Sequence, residues 1–206
     1  MLLAIDSSTG TSVAVVDHDG GILAETTIDN TMSHAEVVGS SIRAVMLEAG
    51  VTASALSGVA CGMGPGPFTG LRIGIAAARV FALAIDKPLV PLVSHDAVAY
   101  DWYRAGHTGG LLVVTDARRR ELYWSAYSGA DADGIPVRVE GPGLCKPDNL
   151  GHDDLVRLDA TTVSAGSLGM LGETIYATGG SFAADEALYL RSPDAVPSLG
   201  TKRVTA

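Results

Sequence analysis

Leu2-Leu3-Ala4-Ile5-Asp6-Ser7-Ser8-Thr9-Gly10-Thr11-Ser12-Val13-Ala14-Val15-Val16-Asp17 opens the chain with two short apolar runs divided by four small or hydroxyl-bearing residues. Runs of this length, β-branched in the second, predict two strands joined by a tight connection. The turn Asp19-Gly20-Gly21 and the run Ile22 to Ile28 add a third, so the chain begins as a meander. The apolar opening stops at Asp6 with no basic residue before it, which reads as a strand rather than an export signal.

Working outward, Ala35, Val38, Ile42, Val45 and Met46 recur near helical spacing. Ser33, with Glu36 three residues later, forms a capping-box pattern, which predicts a helix from Ser33 to Ala49 stopped at Gly50. Leu56 to Met63 reads as a buried strand. Gly64-Pro65-Gly66-Pro67-Phe68-Thr69-Gly70 then interrupts regular structure before a helix over Leu71 to Ile85. Lys87-Pro88 ends that helix, Leu89 to Val93 forms a strand, and Ser94 starts a third helix with Ala97, Val98 and Tyr100. The order is βββαβαβα. Past the glycines at 106–110, Leu111 to Thr115 and Glu121 to Tyr127 predict a hairpin that opens a second lobe. Residues 131–181 are weakly patterned, Ala183 to Leu190 reads as helical, and the tail with Pro193 and Pro197 is expected to wrap back or fray. The expected division is a lobe at 1–105 and a second at 106–206 whose last residues return to the first.

The bulk composition narrows the function classes. Forty-seven per cent hydrophobic residues and 25 glycines over 206 residues suit a folded α/β protein with many close contacts. Fourteen basic against 23 acidic residues give a net charge of -9, which disfavours holding a phosphate backbone unaided. Cys61 and Cys145 have neither metal spacing nor disulfide density, so a cytoplasmic location is expected. Ile73 to Ile85 is too short, and carries Arg79, for a membrane span.

Three stretches carry candidate chemistry. The elbow from Gly62 to Gly74 exposes backbone N–H groups at a helix start; it suits an anion, or serves as a rigid turn that lets neighbours approach closely. It is neither a Walker loop nor a dinucleotide fingerprint. Asp6, with Ser8 and Thr9, either orients a hydrated cation or caps its own turn. Asp116-Ala117-Arg118-Arg119-Arg120-Glu121 puts three arginines in the turn of the later hairpin, where they either clamp an anion or form a surface or partner contact. The five histidines never pair at i and i+4 beside an acid, and Gly-x-Ser-x-Gly is absent, so neither a zinc peptidase nor a serine hydrolase is supported.

Leu3 to Val16 resembles the first phosphate hairpin of the actin, sugar kinase and Hsp70-like ATPases. In those proteins the second hairpin carries glycines after its aspartate; here arginines stand there. Taken with Ala4 to Ser8, Gly64 to Gly74, Asp116 to Tyr123 and Leu188 to Ala195, the chain resembles the TsaB (YeaZ) family over nearly its whole length. Pro67 departs from that family's pattern, which commonly has serine there.

The resemblance implies an actin-like (ASKHA, ribonuclease H-like) α/β fold of two lobes, each a mixed sheet flanked by helices. It implies a non-catalytic scaffold and activator for N6-threonylcarbamoyladenosine (t6A) formation in tRNA, without metal or cofactor. TsaD would be bound through the first-lobe helices, TsaE would act alongside, a homodimer is a further partner state, and tRNA would be met only through the complex. The implied partner-binding residues are Val38, Ile42, Val45, Leu71, Arg72, Ile75 and Arg79, with the alternative that these face the lobe's own sheet. Asp6, Ser8, Thr9 and Asp116 would be a vestigial nucleotide site. TsaD's metal-binding His-x-x-x-His falls at His95 and Ala99 here, one histidine short. The alternative function is a small actin-like ATPase or phosphotransferase using Asp6 and Asp116 for a hydrated magnesium ion.

Overall fold

The computed structural model describes residues 1–29 and 34–191. Strands β1 (Leu2–Asp6), β2 (Thr11–Asp17) and β3 (Gly21–Ile28) form the opening meander. β4 (Gly58–Gly62) then pairs parallel with β1, and β5 (Leu89–Leu92) parallel with β4, giving the order β3-β2-β1-β4-β5. The second sheet repeats the scheme. β6 (Leu111–Asp116), β7 (Leu122–Ala130) and β8 (Pro136–Cys145) are an antiparallel meander, and β9 (Val156–Asp159) adds parallel to β6, in the order β8-β7-β6-β9. Two sheets with one topology, each a meander followed by a parallel return, are the actin-like α/β fold.

Both faces of the first sheet are covered. Leu3, Ile5, Val13 and Val15 pack under α1 (His34–Glu48) and α2 (Phe68–Ala84), whereas Leu2, Ala4, Ala14 and Val16 face α4 (Ala165–Thr178). The strand period of two thus divides one run of sequence between two cores. The second of these cores continues through α3 (Ser94–Arg104) into Leu111, Val113 and Tyr127 of the other sheet. The N-terminus of α4 is held from the first sheet. Ser12 Oγ accepts from the Ala165 N–H and the Glu25 carboxylate from the Gly166 N–H, while Ser164 caps the Ser167 N–H. A carboxylate is well placed there because the helix dipole favours negative charge.

The first eight expected elements are all found, one of them with an earlier start. α2 begins at Phe68 rather than Leu71: Pro67 is its N-cap at φ −61° and ψ 135°, and the Leu71 N–H donates to the Pro67 carbonyl, so the breaker residues end one turn earlier than their composition implies. Ala183 to Leu190 is not a helix. Ala183 N–H donates to Pro91 O and Leu188 N–H to Met63 O, while Tyr189 N–H turns back to Ala187 O, so the segment runs as an irregular stretch along the first lobe. Ser33, the expected cap of α1, and the tail with Pro193 and Pro197 lie outside the described residues.

Candidate functional site

Asp6 ends β1 with its side chain fully inside the protein. Its Oδ1 accepts from the Ser8 N–H at 2.8 Å and the Ser8 hydroxyl at 2.6 Å, and its Oδ2 from the Ser94 hydroxyl at 2.5 Å. Burial raises its pKa above the ordinary carboxylate value, while the Ser8 and Ser94 bonds act against that rise. Gly62 makes the arrangement possible, since a Cβ there would stand 1.8 Å from Asp6 Oδ2. The elbow is pressed onto the same loop: Gly66 lies against Ser8 Cα, and the Ser7 hydroxyl donates to the Gly70 carbonyl at 2.8 Å. A Cβ at Gly74 would be 2.1 Å from Ser7 Oγ. Of the two sequence-level options for Asp6, the turn-holding one matches this geometry. The glycines bring α2 close against the loop.

His34 and Thr11 close the back of the loop, with 2.8 Å between Nδ1 and Oγ1. Burial lowers the pKa of His34, and the Asp6 charge opposes that shift. Thr9 is half-buried in the same turn. Asp116, from the second hairpin, is exposed; it accepts from the Arg118 N–H at 2.8 Å and pairs with the Arg118 guanidinium at 3.6 Å. Asp6 and Asp116 thus stand in unlike surroundings, one buried and one exposed. Arg118, Arg119 and Arg120 all have positive φ, at 62°, 55° and 60°, a conformation that costs non-glycine residues energy. Tyr123 reaches across from β7 and donates to the Gly66 carbonyl at 3.3 Å, joining the second sheet to the elbow.

His95 is fully buried between Thr115 Oγ1 on Nε2 and Ser125 Oγ on Nδ1, both at 2.9 Å. Burial, helped by the nearby Arg138 charge, holds it down to about 3, so it is neutral at physiological pH. It ties α3 to the β6–β7 hairpin. Among the described residues no group of three His, Cys, Asp or Glu side chains could hold a metal ion.

The expected partner-binding residues divide. Val38, Val45, Leu71 and Ile75 are buried in the core beneath the first sheet and Ile42 packs against that core, so these side chains serve the lobe itself rather than the expected partner surface. Arg72 is exposed, with its guanidinium 4.4 Å from the centre of the Phe68 ring. Arg79 lies on the surface but is engaged within the chain, donating to the Asp185 carboxylate at 2.6 and 3.1 Å and to the Asp185 carbonyl at 3.0 Å. It pins the irregular segment that sequence patterning reads as helix.

The exposed apolar residues of these helices are different ones: Leu47 on α1, and Val80 and Leu83 on α2, exposed to 79, 66 and 82%. Gly39, Ser40, Ala44 and Ala76 are exposed beside them. The signal was present in the sequence, because Val80 and Leu83 fall out of phase with Leu71, Ile75, Ala78 and Ala82, the stripe that faces the sheet. Ser94, which holds Asp6, had no signal beyond its place at a helix start.

A family model described as TsaD, tRNA N6-adenosine threonylcarbamoyltransferase, matches residues 5–148. An uncharacterized protein of Mycobacterium leprae (strain TN) is 34% identical over 213 residues, covering 96% of this chain and 56% of that protein. The tRNA threonylcarbamoyladenosine biosynthesis protein TsaB of Escherichia coli (strain K12) is 28% identical over 166 residues, covering 81% of this chain and 71% of TsaB. Among solved structures, YeaZ from Pseudomonas aeruginosa superposes with a TM-score of 0.76 at 26% identity, covering 93% of this chain and 99% of that one. The chain spans 56% and 64% of the length of two mycobacterial relatives. With well over half of its residues matched, the chain belongs to the TsaD family, that of tRNA N6-adenosine threonylcarbamoyltransferase, and TsaB and YeaZ are among its homologues.

Proposed function

We propose that this chain is a non-catalytic scaffolding and activating subunit in the formation of t6A in tRNA. It binds a TsaD-type catalytic subunit through the outward face of α1 and α2 and acts together with a TsaE-type ATPase. The observation that carries the reading is the exposed face of that helix pair: Leu47, Val80 and Leu83 stand in solvent among glycine, serine and alanine positions, a combination that lets a second pair of helices pack closely. The sealed Asp6 and the lone His95 support placing the chemistry on the partner. The same face can receive a second copy of the chain when the catalytic subunit is absent.

The experiment is reconstitution. The chain alone is expected to transfer no threonylcarbamoyl group, and to restore transfer when mixed with the TsaD-type and TsaE-type proteins of the same organism. Leu83→Glu is expected to abolish co-elution with the TsaD-type protein without unfolding the chain. Transfer by the isolated chain, or unchanged co-elution of the variant, overturns the proposal. Calorimetry with ATP and magnesium addresses the ATPase alternative: no tight binding by the isolated chain is expected.

A further inference from the structure

We infer that a strip running from the arginine turn to the start of α2 is a contact surface for single-stranded RNA; the identity of that RNA, the tRNA substrate, rests on the function proposed above. The strip is continuous through contacts. Arg191 pairs with Glu121 and donates to the Arg118 carbonyl, which anchors it to the turn of residues 118–120. Two residues before it, Tyr189 meets Phe68 with ring centroids 4.9 Å apart, and the Arg72 guanidinium lies 4.4 Å from the centre of the Phe68 ring.

Five of the chain's 14 basic residues thus lie in one strip of a protein whose net charge is -9, with Asp116 and Glu121 as the carboxylates set among them. Arg118, Arg119 and Arg120 are all exposed, carried at the tip of the β6–β7 hairpin by a left-handed backbone of the kind that tight hairpin turns adopt. Phe68 and Tyr189 are 43 and 40% exposed at the centre of the strip. Guanidinium groups for phosphates and aromatic planes for bases are the two elements that bind single-stranded nucleic acid with little regard to sequence. An acidic protein segment would use the arginines but gives no role to the exposed aromatic pair. The acidic remainder of the chain limits affinity, so the strip acts as a guide within an assembly rather than as an independent high-affinity site.

The test uses the full chain and a short single-stranded RNA carrying 4-thiouridine, cross-linked at about 0.1 M salt, where the screening length is about 10 Å and local charge outweighs net charge. Cross-linked peptides are expected to contain Phe68 or Tyr189. Arg119→Asn with Arg120→Asn removes two charges while keeping residues that tolerate positive φ. It is expected to lower the slope of log affinity against log salt by about 1.4. Tyr189→Leu is expected to weaken cross-linking about fivefold or more. Absence of cross-links, cross-links confined to other surfaces, or variants that cross-link like the parent overturn the inference. Co-elution with the TsaD-type subunit, measured on the same variants, reports separately on the proposed function. If the variants lose co-elution while RNA cross-linking is unchanged, the strip is a protein-binding surface and the RNA assignment is wrong.

Discussion

Gly74→Ala is a one-methyl test of how closely α2 approaches the loop after β1. The added Cβ meets Ser7 Oγ at 2.1 Å, Ser7 Cβ at 2.8 Å and Ser7 N at 3.6 Å. Rotating the Ser7 hydroxyl relieves the first contact but not the second, and it breaks the bond to the Gly70 carbonyl. The helix therefore has to move away from the loop. Overpacking of this kind costs about 1–3 kcal/mol and the lost hydrogen bond about 1 kcal/mol, while alanine in place of glycine returns about 1 kcal/mol of helix propensity. A net loss of about 1–3 kcal/mol is expected, read as a lower midpoint in guanidinium denaturation and a fall of about 2–4 °C in Tm per kcal/mol.

Gly39→Ala supplies the control, because its Cβ would meet nothing within 4 Å and should stabilise α1 by up to about 1 kcal/mol. Ser7→Gly in the Gly74→Ala background removes both clashing atoms and should recover most of the steric part of the loss. If Gly74→Ala is as stable as the parent, or if Ser7→Gly leaves its deficit untouched, the account of the elbow as a close-packed joint is wrong.

Ser94→Ala deprives Asp6 Oδ2 and the Gly64 N–H of a partner at once and should cost about 1–3 kcal/mol by urea titration. Leu71→Ala, in the core, is expected to cost about 2–5 kcal/mol, whereas Leu83→Ala, on the exposed face, should stay within about 0.5 kcal/mol, so thermal melts of the pair separate core from surface. His95, held down to about 3 when folded, takes up a proton more readily unfolded; its contribution is whole above about pH 6.5 and drains as pH falls toward 3. His95→Gln should therefore flatten the loss of stability between those limits, by up to about 4–5 kcal/mol at the acid end. The raised pKa of Asp6 acts in the opposite sense, favouring the fold at low pH, but it is common to both proteins and cancels in the difference curve.

Strands and helices were legible as far as the β6–β7 hairpin, because these runs are β-branched or helically spaced and are bounded by turn residues. Legibility failed in two later elements for different reasons. α4 has neighbours on most of its surface and carries Gly166, Gly169 and Gly172, where a Cβ would press on Ile22, on Val16 and Ala4, or on Leu2 and Leu92. Glycines that permit close packing on a sheet look like helix breakers, and a helix buried on most sides has no amphipathic period to read. β8 pairs with β7 through several register shifts and contains Gly141, Pro142 and Gly143, so its alternation is broken. For the site, the glycine elbow was visible as an unusual sequence, but its role depends on which atoms fill the space beside it. Asp6 has a sealed environment because of Gly62 and Ser94, residues 56 and 88 positions away, and no local pattern joins them.

The helix α4 has a mechanical consequence for the whole molecule. It lies between the first sheet and α3, its first turn clasped by Ser12 and Glu25, its flank tied to α3 by Ser167 with Asp101 and by Thr174 with Tyr100. Tyr123 adds a tie on the other side of the lobes, at the elbow. A motion that parts the two sheets has to break the Tyr123 bond and, in addition, either the ties of α3 to α4 or the bonds of His95 on α3 to Thr115 and Ser125 of the second sheet, while the Ser12 and Glu25 clasp travels with the first sheet.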